Sequence, residues 1–332
     1  MTPRELDEDD VRTRPTPRSR PRTRTRPKHE DAVTGLVLSV DRGRFGVLVD
    51  GHLVVAMRGG DMRRTPVVVG DDVSLVGDVT GVEGALARIV RIGDRRTVLR
   101  RSPDDDDPTE RVLVANADQL VIVVALSSPP PRPRLIDRIL VAAYDGGLSP
   151  LLCLTKSDLA SPDELLSLYR PLGVESLTTN PREGDAGVDE LRGRLAGRMS
   201  VLVGHSGVGK STLVNRLVPD ALRATGAVTS VDRGRHTSSS TVALPLPEGG
   251  WIIDTPGVRS FGLGMVDPEH LLQAFPDLFE AARDCFRQCT HEAGDAECAI
   301  DAAILAGRVD AARLASWRRL LDARRGDAGD DD

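Results

Sequence analysis

The chain of 332 residues has few lysines, few aromatic residues and no long apolar run. Its longest uninterrupted apolar run, 120–126, is far shorter than a membrane-spanning helix, which needs about 20 residues. The acidic and then Arg/Pro-rich N-terminus lacks the apolar segment of a secretion signal. We therefore expect a cytoplasmic protein that does not enter a membrane.

The small numbers of lysines, cysteines and aromatic residues limit the kinds of site that the chain can form. Only Lys28, Lys156 and Lys210 are lysines among 44 basic residues, so a lysine that persists is a candidate for a position that requires it, although a coding preference for arginine also explains the skew. Four cysteines, three of them clustered, indicate metal ligation rather than a disulfide framework. Because Phe45 is the only aromatic residue between 33 and 100, base stacking on single-stranded nucleic acid has little support there.

Composition divides the chain into regions, beginning with two that differ sharply. Residues 1–31 contain an Arg/Pro-rich arm that cannot bury a core, which suits either contacts with nucleic-acid phosphates or a solvated disordered tail. Residues 32–102 contain about five short β-rich segments, and Asp50-Gly51 is typical of a hairpin turn. We predict an all-β barrel of the oligonucleotide-binding (OB) type, either RNA-binding or purely structural.

The remaining regions are an α/β domain, a helical domain and a tail. In residues 110–264, apolar strands alternate with helical segments, which predicts a parallel sheet. Residues 265–325 are mostly helical around a Cys/His cluster, and residues 326–332 form an acidic tail. Within 299–325, arginines lie between apolar residues at helical spacing, which indicates either a core face with a solvated basic face or an RNA-contacting helix.

A glycine-rich segment from Gly204 to Ser211 matches the G-x-x-x-x-G-K-[ST] pattern between an apolar strand and a helical segment. Its glycines let backbone N–H groups converge on a phosphate, and the helix N-terminus adds partial positive charge. In such a loop Lys210 contacts the β- and γ-phosphates and Ser211 binds Mg²⁺. Asp254 begins a D-x-x-G motif after another strand, as expected of an aspartate that holds Mg²⁺ through water, while the Gly257 N–H senses the γ-phosphate.

The segment Thr155-Lys156-Ser157-Asp158 matches the [NT]-K-x-D motif of GTP-binding proteins. Its aspartate accepts hydrogen bonds from N1–H and the amine of guanine, which adenine does not offer, so Asp158 selects GTP over ATP. Thr155 replaces the commoner Asn and makes fewer side-chain hydrogen bonds. The residues expected to bind GTP are Thr155, Lys156, Ser157, Asp158, Gly204, His205, Ser206, Gly207, Val208, Gly209, Lys210, Ser211, Thr212, Asp254 and Gly257.

The order of these motifs is unusual. The base-recognition motif precedes the phosphate-binding loop, whereas an ordinary small GTPase has the reverse order. The order predicts a circularly permuted GTPase domain. The loop beside the guanine is then expected near Ser176 to Asn180, whose sequence matches the usual S-A-x poorly.

Residues 224–241, rich in Gly, Ser and Thr, have the composition of a mobile switch loop or of an ordinary linker. In a switch loop Thr237 binds Mg²⁺ when the γ-phosphate is present, with Ser238 as the alternative ligand. Val258 stands where many GTPases have a water-orienting Gln, so we expect slow intrinsic hydrolysis that a partner stimulates. His236 and Thr237 are the candidate catalytic residues, and for His236 a structural or RNA-contacting role is equally open.

Cys285, Cys289, His291 and Cys298 supply three thiols and one imidazole within 14 residues. This set suits one closed tetrahedral Zn²⁺ site per chain, and a closed site is structural. Free buried thiols are the alternative. Cys153 lies in an apolar strand and is expected to be a packed core residue.

With these residues in view, the chain resembles the ribosome small-subunit-dependent GTPase A family, the RsgA type. The resemblance covers about residues 33–325 and rests on VANADQLVIVVA, TKSDL, GHSGVGKSTLVN, GRHTS, DTPGVRSFGL and CTHEAGDAECAI, in that order. The chain departs from the family pattern at Thr155, where Asn is usual, and at Ser238, where Thr is usual. Three residues separate Cys285 from Cys289 where the family typically has four.

The resemblance implies hydrolysis of GTP to GDP and phosphate, stimulated by the small ribosomal subunit late in its maturation. The barrel and the zinc domain would contact ribosomal RNA, and a monomer is expected. Two alternatives stay open: an RNA-binding scaffold with a structural nucleotide, and a GTPase that acts on another RNA or protein target. Intact Ser211, Thr237 and Asp254 argue against the scaffold.

Overall fold

The computed structural model of the protein describes residues 29–62, 65–101, 111–180, 184, 186–219, 241–255, 263, 266–295 and 297–324. Several features predicted from the sequence lie outside these residues. They are the arm up to Lys28, the acidic tail 326–332, and the site residues His236, Thr237, Ser238, Gly257 and Val258. Among the described helices, none combines the length and the apolar character needed to cross a bilayer.

The first five strands form the predicted barrel. They are β1 (Val33–Asp41), β2 (Arg44–Val49), β3 (His52–Arg58), β4 (Asp72–Gly77) and β5 (Ala87–Ile92). Their order is β1-β2-β3-β5-β4, and β4 pairs again with β1, so the sheet closes. Asp50 and Gly51 both have positive φ between β2 and β3, as the predicted hairpin turn requires. The closed five-stranded topology is consistent with the OB type.

An α/β domain follows the barrel. Its first strands, β6 (Val98–Arg101) and β7 (Arg111–Ala115), form a separate antiparallel ribbon. The main elements are β8 (Gln119–Ala125), α1 (Pro133–Asp145), β9 (Ser149–Thr155), α2 (Asp163–Tyr169), β10 (Glu175–Thr179), α3 (Ala186–Leu195), β11 (Met199–Val203), α4 (Lys210–Leu217), β12 (Val242–Pro245) and β13 (Trp251–Asp254). All seven residues of β8 are buried, as a continuous apolar strand in a parallel sheet should be.

Strand order confirms the permuted arrangement. The order is β10-β9-β8-β11-β13-β12, parallel except for the antiparallel β12–β13 pair. Strand β11, which leads into the glycine-rich segment, lies in the middle. The strands that precede it in the chain lie on one side, and those that follow lie on the other. The sheet continues through β12 to β1 of the barrel, where Ser39 pairs with Val242.

Four helices cover one end of the α/β domain. They are α5 (Pro268–Gln273), α6 (Pro276–Ala282), α7 (Ala299–Leu305) and α8 (Ala311–Arg324). Helix α8 packs against α1 and buries Trp317 completely. Three arginines of α8 do not form the expected solvated basic face, because each one is half-buried and pairs with a carboxylate of another helix. The pairs are Arg313–Asp277, Arg318–Asp301 and Arg319–Asp137.

Candidate functional site

The glycine-rich segment forms the turn between β11 and the first residue of α4. Gly207 and Gly209 have φ of +82° and +96°, in the left-handed region that favours glycine. A Cβ on Gly204 would lie 2.5 Å from the Val123 carbonyl oxygen of neighbouring β8. The three glycines are therefore required by the backbone, and the N-terminus of α4 is left facing the turn, where it can bind a phosphate.

Lys210 and Asp254 meet at this turn. Lys210 Nζ lies 2.6 Å from Asp254 Oδ1 and 3.4 Å from the Thr255 carbonyl oxygen. Asp254 ends β13 opposite Leu202 of β11, and the Thr255 hydroxyl donates to the Leu202 carbonyl over 3.0 Å. The structure therefore brings the predicted phosphate-binding lysine and the predicted Mg²⁺-site aspartate together. Ser211, the next residue in the first turn of α4, is exposed.

Thr155 connects the base-recognition motif to the phosphate-binding turn. It ends β9, is buried, and its hydroxyl donates to the Val208 carbonyl over 2.5 Å. A Cβ on Gly209 would lie 3.7 Å from Thr155 Oγ1, so the two segments are in close contact. The threonine therefore makes one direct contact between the two motifs, despite its smaller hydrogen-bonding capacity. Sequence reasoning missed this contact, because nothing in the motif indicates its partner.

The rest of the base-recognition motif forms a tight turn with an exposed aspartate. Lys156 has φ of +59°, its carbonyl accepts from the Leu159 N–H, and its ammonium donates to the Ser128 carbonyl. Asp158 is exposed, so its carboxylate is accessible to a base. Ser128 thus contacts the base-recognition motif, and the sequence analysis did not identify it. Pro129 also approaches the turn, 3.5 Å from where a Cβ on Gly207 would lie.

The expected guanine-side loop is corrected by the structure. Four of its five residues, from Ser176 to Thr179, belong to β10 and pair with β9. Only Asn180 lies beyond the end of the strand. Leu177 and Thr179 are buried and face the interior of the domain, whereas Thr178 between them is exposed. This alternation is typical of a strand.

The three clustered cysteines and His291 converge between α6 and α7. Their ligand atoms all lie within 4.8 Å of one another. His291 Nδ1 lies 3.6 Å from Cys285 Sγ and 3.8 Å from Cys298 Sγ. A tetrahedral zinc ion, with bonds of about 2.3 Å to sulfur and about 2.0–2.1 Å to nitrogen, separates such atoms by about 3.6–3.8 Å. The four residues, including Cys285 with its shortened spacing, therefore fit one metal ion.

Neighbouring residues hold this cluster in place. Arg318 donates from Nε to the His291 carbonyl over 2.8 Å and forms a two-point ion pair with Asp301. The Ala299 N–H points at Cys285 Sγ from 3.3 Å. Burial lowers the pKa of His291, which favours the neutral imidazole that binds metals. The cluster is therefore fixed to α7 and α8 by contacts beyond its own ligands.

Comparisons with known proteins agree with this geometry. The family model described as RsgA GTPase matches residues 92–264. A relative from Chlorobaculum parvum, described as small ribosomal subunit biogenesis GTPase RsgA, is 37% identical over 266 residues, which are 77% of this chain and 85% of the relative. A relative of the same description from Ectopseudomonas mendocina is 42% identical over 217 residues, which are 63% of this chain and 62% of the relative.

Solved structures show the same fold. YjeQ from Thermotoga maritima superposes with a TM-score of 0.64 at 25% identity, over 89% of this chain and 99% of that chain. YloQ, described as a circularly permuted GTPase, superposes with a TM-score of 0.63 at 23% identity, over 90% of this chain and 97% of that chain. The latter likeness concerns the fold alone. Together, the order of the motifs, the site they form and these similarities show that the chain belongs to the RsgA GTPase family.

Proposed function

We propose that this chain hydrolyses GTP to GDP and phosphate and that the small ribosomal subunit stimulates the reaction during its late maturation. The observation that carries the proposal is the convergence of both nucleotide motifs on one turn. Lys210 and Asp254 meet on one side of it, and Thr155 contacts Val208 within it. The description of the relatives from Chlorobaculum parvum and Ectopseudomonas mendocina as small ribosomal subunit biogenesis GTPases supplies the ribosomal part of the proposal.

The chain's own residues account for binding and orientation. Backbone N–H groups of the turn and Lys210 hold the phosphates, and they stabilise negative charge on the transferred group. Asp158 accepts from guanine, which fixes the base. Ser211, and Asp254 through water, would hold Mg²⁺, and the ion would supply neutralisation of phosphate charge. We propose Thr237 as a further ligand and His236 as the residue that positions water.

The other parts of the proposal concern the metal cluster and the partner. Cys285, Cys289, His291 and Cys298 would hold one structural Zn²⁺, because thiolates with one imidazole at these separations suit zinc in a closed site. The barrel (32–102) and the metal-binding helical region (265–325) would contact ribosomal RNA on either side of the GTPase domain (110–264). We propose a cytoplasmic monomer.

The test is GTP turnover by the full chain, with and without purified small ribosomal subunits, at two salt concentrations. Stimulation by small subunits, absent with large subunits and weaker at high salt, supports the proposal, because contacts with RNA phosphates weaken as salt rises. Lys210→Arg serves as the inactive control, since a planar guanidinium does not replace the ammonium in this turn. Turnover that small subunits leave unchanged would show that the chain acts on another target or serves as a scaffold.

A further inference from the structure

Strand β1 belongs to two parts of the molecule. Its first residues, from Val33 to Leu36, pair with β4 and close the barrel. Farther along the same strand, Ser39 pairs with Val242 of β12 in the GTPase sheet. A register shift against β2 between Val37 and Ser39, a β-bulge, marks the place where the strand changes partner. One strand of the barrel therefore also pairs with the edge of the nucleotide-binding sheet.

The two side chains at this place lie in different cores. Val37 is completely buried in the core of the barrel, together with Phe45 and Leu75. Leu38 is 2% exposed and lies in the core of the GTPase domain, together with Val242. Successive side chains of a strand point to opposite faces, so a single strand can supply both cores. Leu38 is thus a barrel residue that packs in the GTPase domain.

Strand pairing connects β1, through β12, to β13 and the nucleotide site. Val242 of β12 lies opposite both Ser39 of β1 and Asp254 of β13. Asp254 in turn lies opposite Leu202 of β11, next to the phosphate-binding turn. Barrel strand and Mg²⁺-site aspartate are therefore separated by a single strand.

A second contact fixes the barrel on the domain. Val69 bridges to Val114 of β7, and the Asn116 amide donates to the Gly70 carbonyl over 2.9 Å. A Cβ on Gly70 would lie 1.9 Å from the Ala115 carbonyl oxygen, which shows how closely the backbones approach. The barrel is therefore held to the α/β domain beside β7 as well as through the Ser39–Val242 pair.

We infer that Leu38 is a positioning residue for Asp254, so that the barrel takes part in Mg²⁺-dependent nucleotide binding; this rests on the proposed function. Leu38 fills the GTPase core beside β12 and holds this strand against β13. Removing its side chain leaves a cavity at that place, and surrounding elements relax into a cavity only partly. Asp254 then loses part of its fixed position, while the phosphate-binding turn after β11 is unchanged.

The experiment measures release of a fluorescent GDP analogue from the full chain across a series of Mg²⁺ concentrations. Mg²⁺ should slow release, and the Mg²⁺ midpoint is the concentration that gives half of this slowing. In Leu38→Ala we expect the midpoint to rise by at least about 5-fold, which is the size of an ordinary coupling between two sites. Release in EDTA is measured for each variant as its own baseline, so that the midpoint reports the Mg²⁺-dependent part alone and not a change in the Lys210–Asp254 ion pair. A purely structural role for Leu38 would lower the active fraction without moving the Mg²⁺ midpoint.

Leu75→Ala is the matched control, since Leu75 is equally buried but lies in the barrel core. Leu75→Ala should lower the stability of the fold and keep the Mg²⁺ midpoint of the unchanged chain. Leu38→Met, which keeps most of the side-chain volume, should also keep that midpoint. If Leu38→Ala does not fold, Leu38→Val, which removes less volume, takes its place in the comparison of Mg²⁺ midpoints with Leu75→Ala. A midpoint in Leu38→Ala, or in Leu38→Val where Leu38→Ala does not fold, that equals the midpoint in Leu75→Ala overturns the inference. Failure of the unchanged chain to bind the analogue overturns the proposed function instead.

Discussion

Lys210 Nζ forms an ion pair with Asp254 Oδ1 at 2.6 Å, so the lysine expected to bind phosphate is held by the aspartate expected at the Mg²⁺ site. A nucleotide phosphate at the proposed site would compete with this carboxylate for the ammonium group of Lys210. We therefore expect Asp254 to favour nucleotide binding when Mg²⁺ is present and to oppose it when Mg²⁺ is absent.

Asp254→Asn should separate these two effects. Because the amide no longer pairs with Lys210 as an ion, affinity for GDP in EDTA should stay equal or increase. GTP turnover in Mg²⁺ should fall by about 100-fold, as when one preorganised electrostatic contact is lost. Fluorescence titration with a GDP analogue and a phosphate-release assay measure the two quantities. A loss of affinity in EDTA would show that Asp254 supports the turn rather than competing for Lys210.

The contact between Thr155 and Val208 predicts a graded effect. Thr155→Val keeps the shape but removes the hydroxyl, which leaves a buried carbonyl oxygen without its donor. A lost neutral hydrogen bond of about 1 kcal/mol weakens nucleotide binding by about 5-fold. Thr155→Ser keeps the hydroxyl and should bind within about 2-fold of the unchanged chain. Equal affinities of the Val and Ser variants would contradict this role.

The sequence could predict what depends on local patterns. The glycines of the phosphate-binding turn, the alternation of strands and helices, the Asp50-Gly51 hairpin and the Cys/His cluster follow from residues close together in the chain. Their order was sufficient to predict the circular permutation.

Contacts between distant residues could not be predicted in this way. Thr155 and Val208 are 53 positions apart, and Arg319 and Asp137 are 182 apart. Helical periodicity places the arginines of α8 beside its apolar face, but it does not show whether their partners are solvent, RNA or carboxylates. The strand found over most of the expected guanine-side loop has a similar cause, because the burial of Leu177 and Thr179 against the domain depends on residues distant in the chain.

Asp158 is expected to determine base specificity. A carboxylate accepts two hydrogen bonds from guanine, whereas the amide of Asp158→Asn presents one donor, which suits the second carbonyl of xanthine. The variant should lose at least about 100-fold in preference for GDP over XDP, because unmatched polar groups are costly at a recognition site. Competition between the two nucleotides for a fluorescent analogue measures the ratio. An unchanged ratio would place base recognition elsewhere.

The Cys/His cluster should hold one Zn²⁺ per chain and stabilise the fold. Cys285→Ser, Cys289→Ser and Cys298→Ser should each lose bound zinc, and a chelator should lower the Tm of the unchanged chain. Cys153→Ser is the control: Cys153 is fully buried in β9, burial raises the pKa of its thiol to about 12, and it is remote from the cluster in sequence. Its zinc content should not change. Elemental analysis of the purified variants measures the zinc content per chain. Full zinc content in Cys285→Ser would show that Cys285 is not a ligand.

The Arg319–Asp137 pair predicts an asymmetric loss of stability at the contact between α8 and α1. Asp137 is 2% exposed, and burial raises its pKa although Arg319 donates to it over 2.9 Å. Arg319→Met leaves this carboxylate buried without its cation, so the free energy of unfolding should fall by about 3 kcal/mol. A raised pKa means that the folded state binds the proton more tightly, so the deficit should shrink as pH falls through that pKa.

Asp137→Asn in the Arg319→Met background should recover part of the loss and abolish its pH dependence, because no buried charge remains. Arg313→Met, which breaks the more exposed pair with Asp277, is the matched control and should cost less. Denaturant unfolding at neutral and acidic pH measures all four proteins. Equal losses for Arg313→Met and Arg319→Met would show that α8 is held by its apolar face around Trp317 alone, with the ion pairs contributing little.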